Sequence, residues 1–452
     1  MVDITSKELW LRVDEWAKKY GPLVRLSVFG QNMIFVNDAD VACELFDRRG
    51  AIYSGKPRCG CENMIFFTTY NERHKRHRKL MQATLGPRNI AGYHKQLEAG
   101  SISLIRSLVS DPSNYNRHFR RYAGGLILST VYGYTPSSSN DPFLLLGERS
   151  MSLLSNEMGA GIGLWPVDVF PILKHIPTWF PGASFKRNAV KWKLKISEFA
   201  DRPFAFAKER LKRDTSMPSF CSSLLSEENV SPEREADIKW TANSMYTASA
   251  DPTIAILSNL ILAMLLHPQP FEIAKKEMEE VVGTERLPSF EDRDALPYLE
   301  CLFLEALRWG SPVPLNLPHL VEKEDVYEGM TIPKGSFIIA NLWSMLHDEF
   351  RYPDPYSFKP ERFMNISDPE TKRKLDPRTF VFAFGRRRCP GVDLANASLW
   401  LTLAAMVATI DVSKARNPDG SVIEPKTEYD DTFFRQDCIA LQDYGSSSVE
   451  FA

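Results

Sequence analysis

The sequence is poor in the features that mark secreted, nucleic-acid-binding and membrane-spanning chains. Its 452 residues include only seven cysteines, an odd and scattered set, which argues against a disulfide framework. Cys59 and Cys61 form C-G-C, too close for a familiar zinc pattern and without a second pair. The cysteines other than Cys389 are expected to be reduced, mostly buried thiols in a cytosolic setting. Three sequons, at Asn229, Asn365 and Asn396, would matter only in a secreted chain. Neither charge sign dominates: 55 lysines and arginines stand against 57 acids, a formal net charge of −2, so nothing global points to nucleic acid. Long hydrophobic runs are missing as well. The most apolar stretch, "TIAILSNLILAMLLHP" from Thr253, contains Ser258 and Asn259, is short for a span and reads as a buried helix. The opening "MVDITSKELWLRVDEWAKKYGP" is polar and amphipathic, unlike a signal peptide. No internal repeat or low-complexity tract appears, which argues against a solenoid.

What is present is an ordinary globular composition, 44% hydrophobic and 25% charged, with ample chain for a sizeable core. Helical patterns dominate. Expected helices run from about Pro232 to Leu266, from Gln269 to Val282, from Pro297 to about Trp309, and from Gly391 to Ile410. "PLVRLSVFGQNMIFVN" reads as a hairpin turning at Phe29-Gly30-Gln31-Asn32, and "DVYEGMTIPKGSFIIANLW" as short strands with turns. Trp165 to Gly182 is a proline-punctuated aromatic loop, and Tyr352 to Arg378 is proline-rich and poor in regular structure. Helices do not alternate with strands, so a doubly wound sheet is excluded. The expectation is a mainly α fold with small antiparallel β-sheets.

One segment asks for chemistry. In "FVFAFGRRRCPGVDLA", from Phe380, Arg386, Arg387 and Arg388 crowd Cys389 just before a helix start. Cationic neighbours and a helix N-terminus both favour thiolate over thiol, so the segment reads as built to hold a sulfur anion. The spacing of Phe382, Gly385, Arg387, Cys389 and Gly391, F-x-x-G-x-R-x-C-x-G, resembles the haem-binding loop of the cytochrome P450 superfamily. That resemblance implies haem b with the Cys389 thiolate as axial iron ligand, a ligand that favours O–O cleavage. Phe382 would cover the thiolate, Arg387 would reach a propionate, and Gly385 and Gly391 would allow backbone that a Cβ forbids.

Further matches follow in the family's order. "EALR" puts Glu305 and Arg308 on one helix face, and "FKPERF" supplies Arg362, which joins that pair in the superfamily and secures the cysteine loop. "WFPGASFKR" and "PHLVEKEDVYEGMTIPKGSFIIANLWSMLHD" resemble a fungal, basidiomycete-type branch of microsomal monooxygenases, and the likeness spans nearly the whole chain. It implies a single catalytic domain over 1–452, with a β-containing part at about 20–60 and a helical haem-binding core at about 70–452.

Two departures stand out. Where the family has W-x-x-x-R, "YNERHKRHRKL" keeps Arg78 but places His74 at the tryptophan position. His74 is either a substitute donor to a propionate or a solvated histidine on a basic helix. His319 sits where relatives often place a propionate partner. Over the haem, the family's A-G-x-D/E-T-T becomes "ASADPT". Asp251 keeps the acid that relays protons, but Pro252 replaces the alcohol and Ser249 the glycine. Pro252 removes a helix bond to the carbonyl of Ala248 and would lock open an oxygen groove. Thr253, Ser249, water or a substrate hydroxyl would then supply the missing hydrogen bond. The alternative is a rearrangement or dehydration without external electrons, or a haem-binding protein with impaired turnover.

The resemblance further implies O2, an NADPH-cytochrome P450 reductase and an apolar small molecule, such as a terpenoid, steroid, polyketide or aromatic compound of secondary metabolism. Candidate substrate-facing residues are Phe66, Phe67, Gly159–Val169, Met245–Ser249, Val313–Leu317, Phe433 and Phe434, and a core role fits their composition equally well. Lys75, Arg76, Lys79 and Arg386 form either a basic patch for the reductase or a solvated charge run. Relatives begin with a membrane helix and proline-rich hinge, whereas this sequence opens just before "WAKKYGPLV". The family's place is the cytosolic face of the endoplasmic reticulum, and the chain itself reads as soluble or peripheral.

Overall fold

The computed structural model describes residues 8–28, 30–57, 61–158, 167, 171–414, 416–417, 419, 421–425 and 449–451. The longer helices are α1 (Leu9–Tyr20), α2 (Glu72–Leu85), α3 (His94–Ser110), α4 (Tyr115–Tyr132), α5 (Pro142–Ser152), α6 (Ser184–Lys212), α7 (Pro232–Leu266), α8 (Pro268–Val281), α9 (Pro297–Trp309) and α10 (Val392–Thr409). Strands β1 (Leu23–Val28), β2 (Gln31–Val36), β3 (His319–Leu320) and β6 (Phe337–Ala340) form one sheet in the order β1-β2-β6-β3. Its β2–β6 pairing is parallel, and its other pairings are antiparallel. β4 (Asp325–Tyr327) pairs with β5 (Met330–Ile332), and β7 (Val412–Lys414) with β8 (Val449–Phe451).

The central helix α7 starts with its polar groups satisfied. Ser231 caps it by accepting from the Arg234 N–H at 3.2 Å, Pro232 takes the first position, and Glu233 and Glu235 complement the dipole. It packs on α4 along its length and carries most of the large helical core, with Ile254, Leu257, Leu260 and Ile261 buried. α10 is apolar on every side, as a helix enclosed by protein must be. By length and composition α7 and α10 could each cross a bilayer, but both are largely buried inside the fold. α9 is capped from outside: the Glu277 carboxylate of α8 accepts from the Tyr298 and Leu299 N–H groups at 2.8 and 2.9 Å. A smaller core joins the sheet to the cysteine segment through Ile34, Val36, Ile338, Phe46 and Phe384.

The expected helix bounds agree with α7 to the residue, and with α8, α9 and α10 within one residue. The hairpin turn is shorter than expected, because β2 already starts at Gln31, and Phe29 lies outside the described residues. The proline-rich section contains a short helix at Pro369–Leu375, capped by Asp368, and another short helix, Phe220–Leu225, lies between α6 and α7.

Candidate active site

Cys389 lies at the end of a tight loop ahead of α10. Its N–H donates to the Phe382 carbonyl at 2.8 Å, which closes the loop, and the Phe382 ring is buried. Gly385 adopts φ +48, and a Cβ there would run into the Phe46 carbonyl oxygen. The expectation for Gly391 is corrected: its φ is −91, and a Cβ would rest 3.8 Å from Cys389 Sγ, an ordinary contact. Burial pushes the Cys389 thiol pKa up, while the Gly391 N–H, Arg78 and Arg388 pull it down.

The crowd of arginines is also corrected. Arg386 turns away, over the Tyr70 ring at 4.9 Å. Arg387 crosses to the Ser54 carbonyl, donating from Nε at 2.9 Å and Nη2 at 2.7 Å. The cation that closes on the loop comes from α2: Arg78 Nη1 donates to the Arg388 carbonyl at 2.6 Å. Sequence spacing hides this, since Arg78 is 310 residues away from its partner.

Around the loop gathers a cluster of bases. His74 is 2% exposed on α2, within electrostatic reach of Arg387, Arg78 and Lys56, and burial first, then these charges, lower its pKa to about 3. A neutral His74 keeps one N–H, enough for one bond to a carboxylate. Its Nδ1 is buried and has no partner among the described residues. His319, on β3, sets Nδ1 2.8 Å from the Tyr53 carbonyl, so Nδ1 carries the proton, and burial holds the ring's pKa far below its ordinary value. A neutral His319 therefore has no second N–H for a propionate. Lys56 is the member that sequence reasoning missed. It lies in "SGKPRCGCEN", and its ammonium is buried and donates to the Leu317 and Pro318 carbonyls at 3.1 Å each.

Arg78 and Arg387 spend these hydrogen bonds on main-chain carbonyls, and among the described residues no carboxylate lies within ion-pair distance of either. Burial lowers the pKa of both, that of Arg387 to about 10. Half-buried cations without a paired carboxylate favour a counter-charge. A haem fits that demand: its two propionates would meet Arg78, Arg387 and His74, and its iron would meet Cys389.

The second wall is α7. Residues 241–247 and 254–265 are buried, yet Ala248 is exposed and Ser249, Asp251, Pro252 and Thr253 are half-buried, as the wall of an internal space requires. α7 stays helical through Pro252, so the expected opening of the helix is not seen. The cost falls on the Ala248 carbonyl, which Pro252 cannot bond. Thr253 Oγ1 donates to the Ser249 carbonyl at 2.9 Å, and Ser249 Oγ to the Tyr246 carbonyl at 3.3 Å.

Behind the loop, Glu305 and Arg308 are fully buried and paired through two bonds of 2.7 Å. Arg362 Nε joins Glu305 at 3.2 Å, and the Lys359 N–H donates to it at 2.8 Å. Arg308 reaches on to the Leu346 and Ser357 carbonyls, which knits the proline-rich section to α9. Of the basic patch, Lys75 pairs with Glu72 at 2.7 Å and Arg76 with Asp237 and Glu233, so much of its charge is compensated within the fold. Among the substrate-facing candidates Phe66 packs edge-on to Phe67, Met245 is buried in the core, and Val313 and Leu315 are half-buried. Phe433, Phe434, Cys59 and, apart from Val167, Gly159–Val169 lie outside the described residues.

The profile of the Cytochrome P450 family matches residues 1–427. Cytochrome P450 monooxygenase claT of Ampulloclitocybe clavipes is 37% identical over 438 residues, covering 96% of this chain and 86% of that protein. Cytochrome P450 monooxygenase 208 of Postia placenta is 37% identical over 435 residues, 94% of this chain and 84% of that one. Cytochrome P450 monooxygenase claR of Ampulloclitocybe clavipes is 35% identical over 440 residues. A likeness this long means that the chain belongs to the cytochrome P450 family and is a monooxygenase that carries haem on a cysteine thiolate.

Proposed function

We propose that this monooxygenase inserts one atom of O2 into an apolar secondary metabolite, such as a terpenoid, steroid, polyketide or aromatic compound, with electrons from an NADPH-cytochrome P450 reductase. In sum, a C–H bond, O2, two electrons and two protons give a hydroxyl and water. Haem on a thiolate supplies the O–O-cleaving chemistry when bound. In this reading Cys389 holds the iron, Phe382 keeps water from the sulfur, and Arg387, Arg78 and His74 hold the propionates. Gly385 shapes the loop, the Gly391 N–H steadies the sulfur, and His319, tied to the Tyr53 carbonyl, orders the wall beside Arg387.

The observation that carries the reading is the stretch Ala248–Thr253, where an acid and two alcohols stand on an open stretch between the buried residues 241–247 and 254–265 of the helix. Asp251 takes up protons at its carboxylate and releases them into the pocket. Thr253 Oγ1 and Ser249 Oγ donate to main-chain carbonyls, which leaves their lone pairs free to accept. Because both hydroxyl hydrogens are so engaged, an electron-free rearrangement or dehydration is the second reading. Reductase-dependent NADPH oxidation that rises with added substrate, with label from isotopic O2 in the product, is the expected result. Turnover of substrate without NADPH would favour the second reading.

Exposed Ile172, Trp179, Phe180, Val190 and Leu194, interleaved with exposed Lys191, Lys193 and Lys195, support a peripheral contact with the cytosolic face of the endoplasmic reticulum. Binding to anionic vesicles that is lost on Trp179→Ser plus Leu194→Ser is the expected behaviour.

A further inference from the structure

α2 serves two neighbours at once. His74 and Arg78 look toward the cysteine loop, Arg78 through its 2.6 Å bond to the Arg388 carbonyl. Arg73, Arg76 and His77 look toward α7, where one carboxylate receives them. Asp237 Oδ2 accepts from Arg76 Nε at 2.6 Å, and its Oδ1 lies 3.0 Å from His77 Nε2, while Arg73 Nε stands 4.0 Å off. Asp237 is 5% exposed and His77 0%, so this is an interior junction and not a surface pair.

The junction has a defined chemistry. A carboxylate only accepts, so His77 Nε2 carries the hydrogen, and its Nδ1 is buried with no partner among the described residues. Burial lowers the His77 pKa despite Asp237, which keeps the ring neutral at physiological pH. For Asp237, burial alone would raise the pKa, but the bonds from Arg76 and His77 outweigh it and the carboxylate stays ionised. Both flanks are tied down as well: Arg76 Nη2 reaches Glu233 at 2.9 Å, and Arg73 Nη1 reaches Asn63 Oδ1 at 2.9 Å.

Rigid-body geometry links the two faces. His74 and His77 are three residues apart on one helix, and Arg78 is next to His77. A side-chain tip rides about 5–6 Å from a helix axis, so a roll of about 20° would move it about 2 Å, enough to break a hydrogen bond. No other ion pair joins α2 to α7 among the described residues except those to Glu233 and Asp237.

We propose that Asp237 is a positioning residue for the haem pocket: its grip on Arg76 and His77 sets the roll of α2 against α7, and so aims His74 and Arg78 at the propionates. The proposal rests on the residue roles given under Proposed function. It also gives a reason for His74 in place of tryptophan. A smaller ring with one N–H must be aimed closely to reach its acceptor.

The test compares purified wild-type holoprotein with Asp237→Asn and Arg76→Gln, following haem transfer to excess apomyoglobin and the propionate modes of the resonance Raman spectrum. Asp237→Asn is expected to lose haem about tenfold faster, as removal of a charge-assisted contact implies. Arg76→Gln should show a smaller change of the same sign, and the propionate modes should shift in both. Glu227→Gln, which breaks the pair with Arg234 on α7, should change neither. If Asp237→Asn yields no holoprotein, Arg76→Gln decides, since Arg76 is half-exposed and the Asp237 carboxylate keeps its contact with His77 Nε2. Wild-type haem retention and unshifted propionate modes in the variants would overturn the proposal, even if they unfold more easily. A wild-type chain that takes up no haem would overturn the proposed function and this inference together.

Discussion

Glu305→Gln is the substitution whose cost follows most directly from the structure. The Glu305 carboxylate is 0% exposed and accepts from Arg308 Nε and Nη2 at 2.7 Å, from Arg362 Nε at 3.2 Å and from the Lys359 N–H at 2.8 Å. Glutamine keeps the shape and one acceptor, but its NH2 faces guanidinium N–H groups, donor against donor. Arg308, also 0% exposed, is left charged without counter-charge. Removing one partner of a buried pair costs about 3–5 kcal/mol, against a total stability of about 5–15 kcal/mol. The loss should spread to the Leu346 and Ser357 carbonyls that Arg308 holds. Urea unfolding should show the midpoint falling by that equivalent with an unchanged slope, together with a lower haem-to-protein ratio. A loss under about 1 kcal/mol, the range of a surface pair, would refute the reasoning.

Three further outcomes are expected. Pro252→Thr restores an N–H for the Ala248 carbonyl and adds an alcohol beside Asp251; it should raise thermal stability and the yield of product per NADPH, and an unchanged yield with unchanged stability would contradict the reading of Pro252. Gly385→Ala meets both a positive φ and the Phe46 carbonyl, so it should cost about 2 kcal/mol or more and disturb the visible spectrum, whereas Gly391→Ala should be mild. The third concerns pH in the haem-free protein. His77 and His319 have folded pKa values below the ordinary one, and His74 falls to about 3, so below about pH 6.5 the unfolded chain binds more protons than the native one. Their contribution is fully present above that pH and is lost as pH falls, by about 2 kcal/mol for His74 alone at about pH 5, and a flat urea midpoint from pH 7.5 to 5 would contradict it.

Much of this architecture could be read before any coordinates, and the reasons are local. α7 and α10 announce themselves through apolar runs bounded by Ser231-Pro232, Pro268 and the Gly391 turn, signals that act within a few residues. The Glu305–Arg308 pair is legible because i, i+3 spacing on a helix forces proximity. What escaped were contacts that only packing decides. Arg386, Arg387 and Arg388 look alike in sequence, but one lies on Tyr70, one crosses to Ser54 and the third, whose charge favours the Cys389 thiolate, lends its carbonyl to Arg78. Lys56 and Asp237 carry no motif; burial and partners distant in sequence give them their roles. Ser249 and Thr253 were legible as alcohols, not as donors to their own helix.

The central claim is that Cys389, in the loop closed by its bond to the Phe382 carbonyl, holds the haem iron as thiolate. It is tested most directly by the absorption spectrum of the reduced, CO-bound protein. The account predicts the red-shifted Soret band of thiolate ligation in the wild type and its loss in Cys389→Ser. A band like that of neutral-ligand haem proteins in the wild type, or no haem at all, would contradict it.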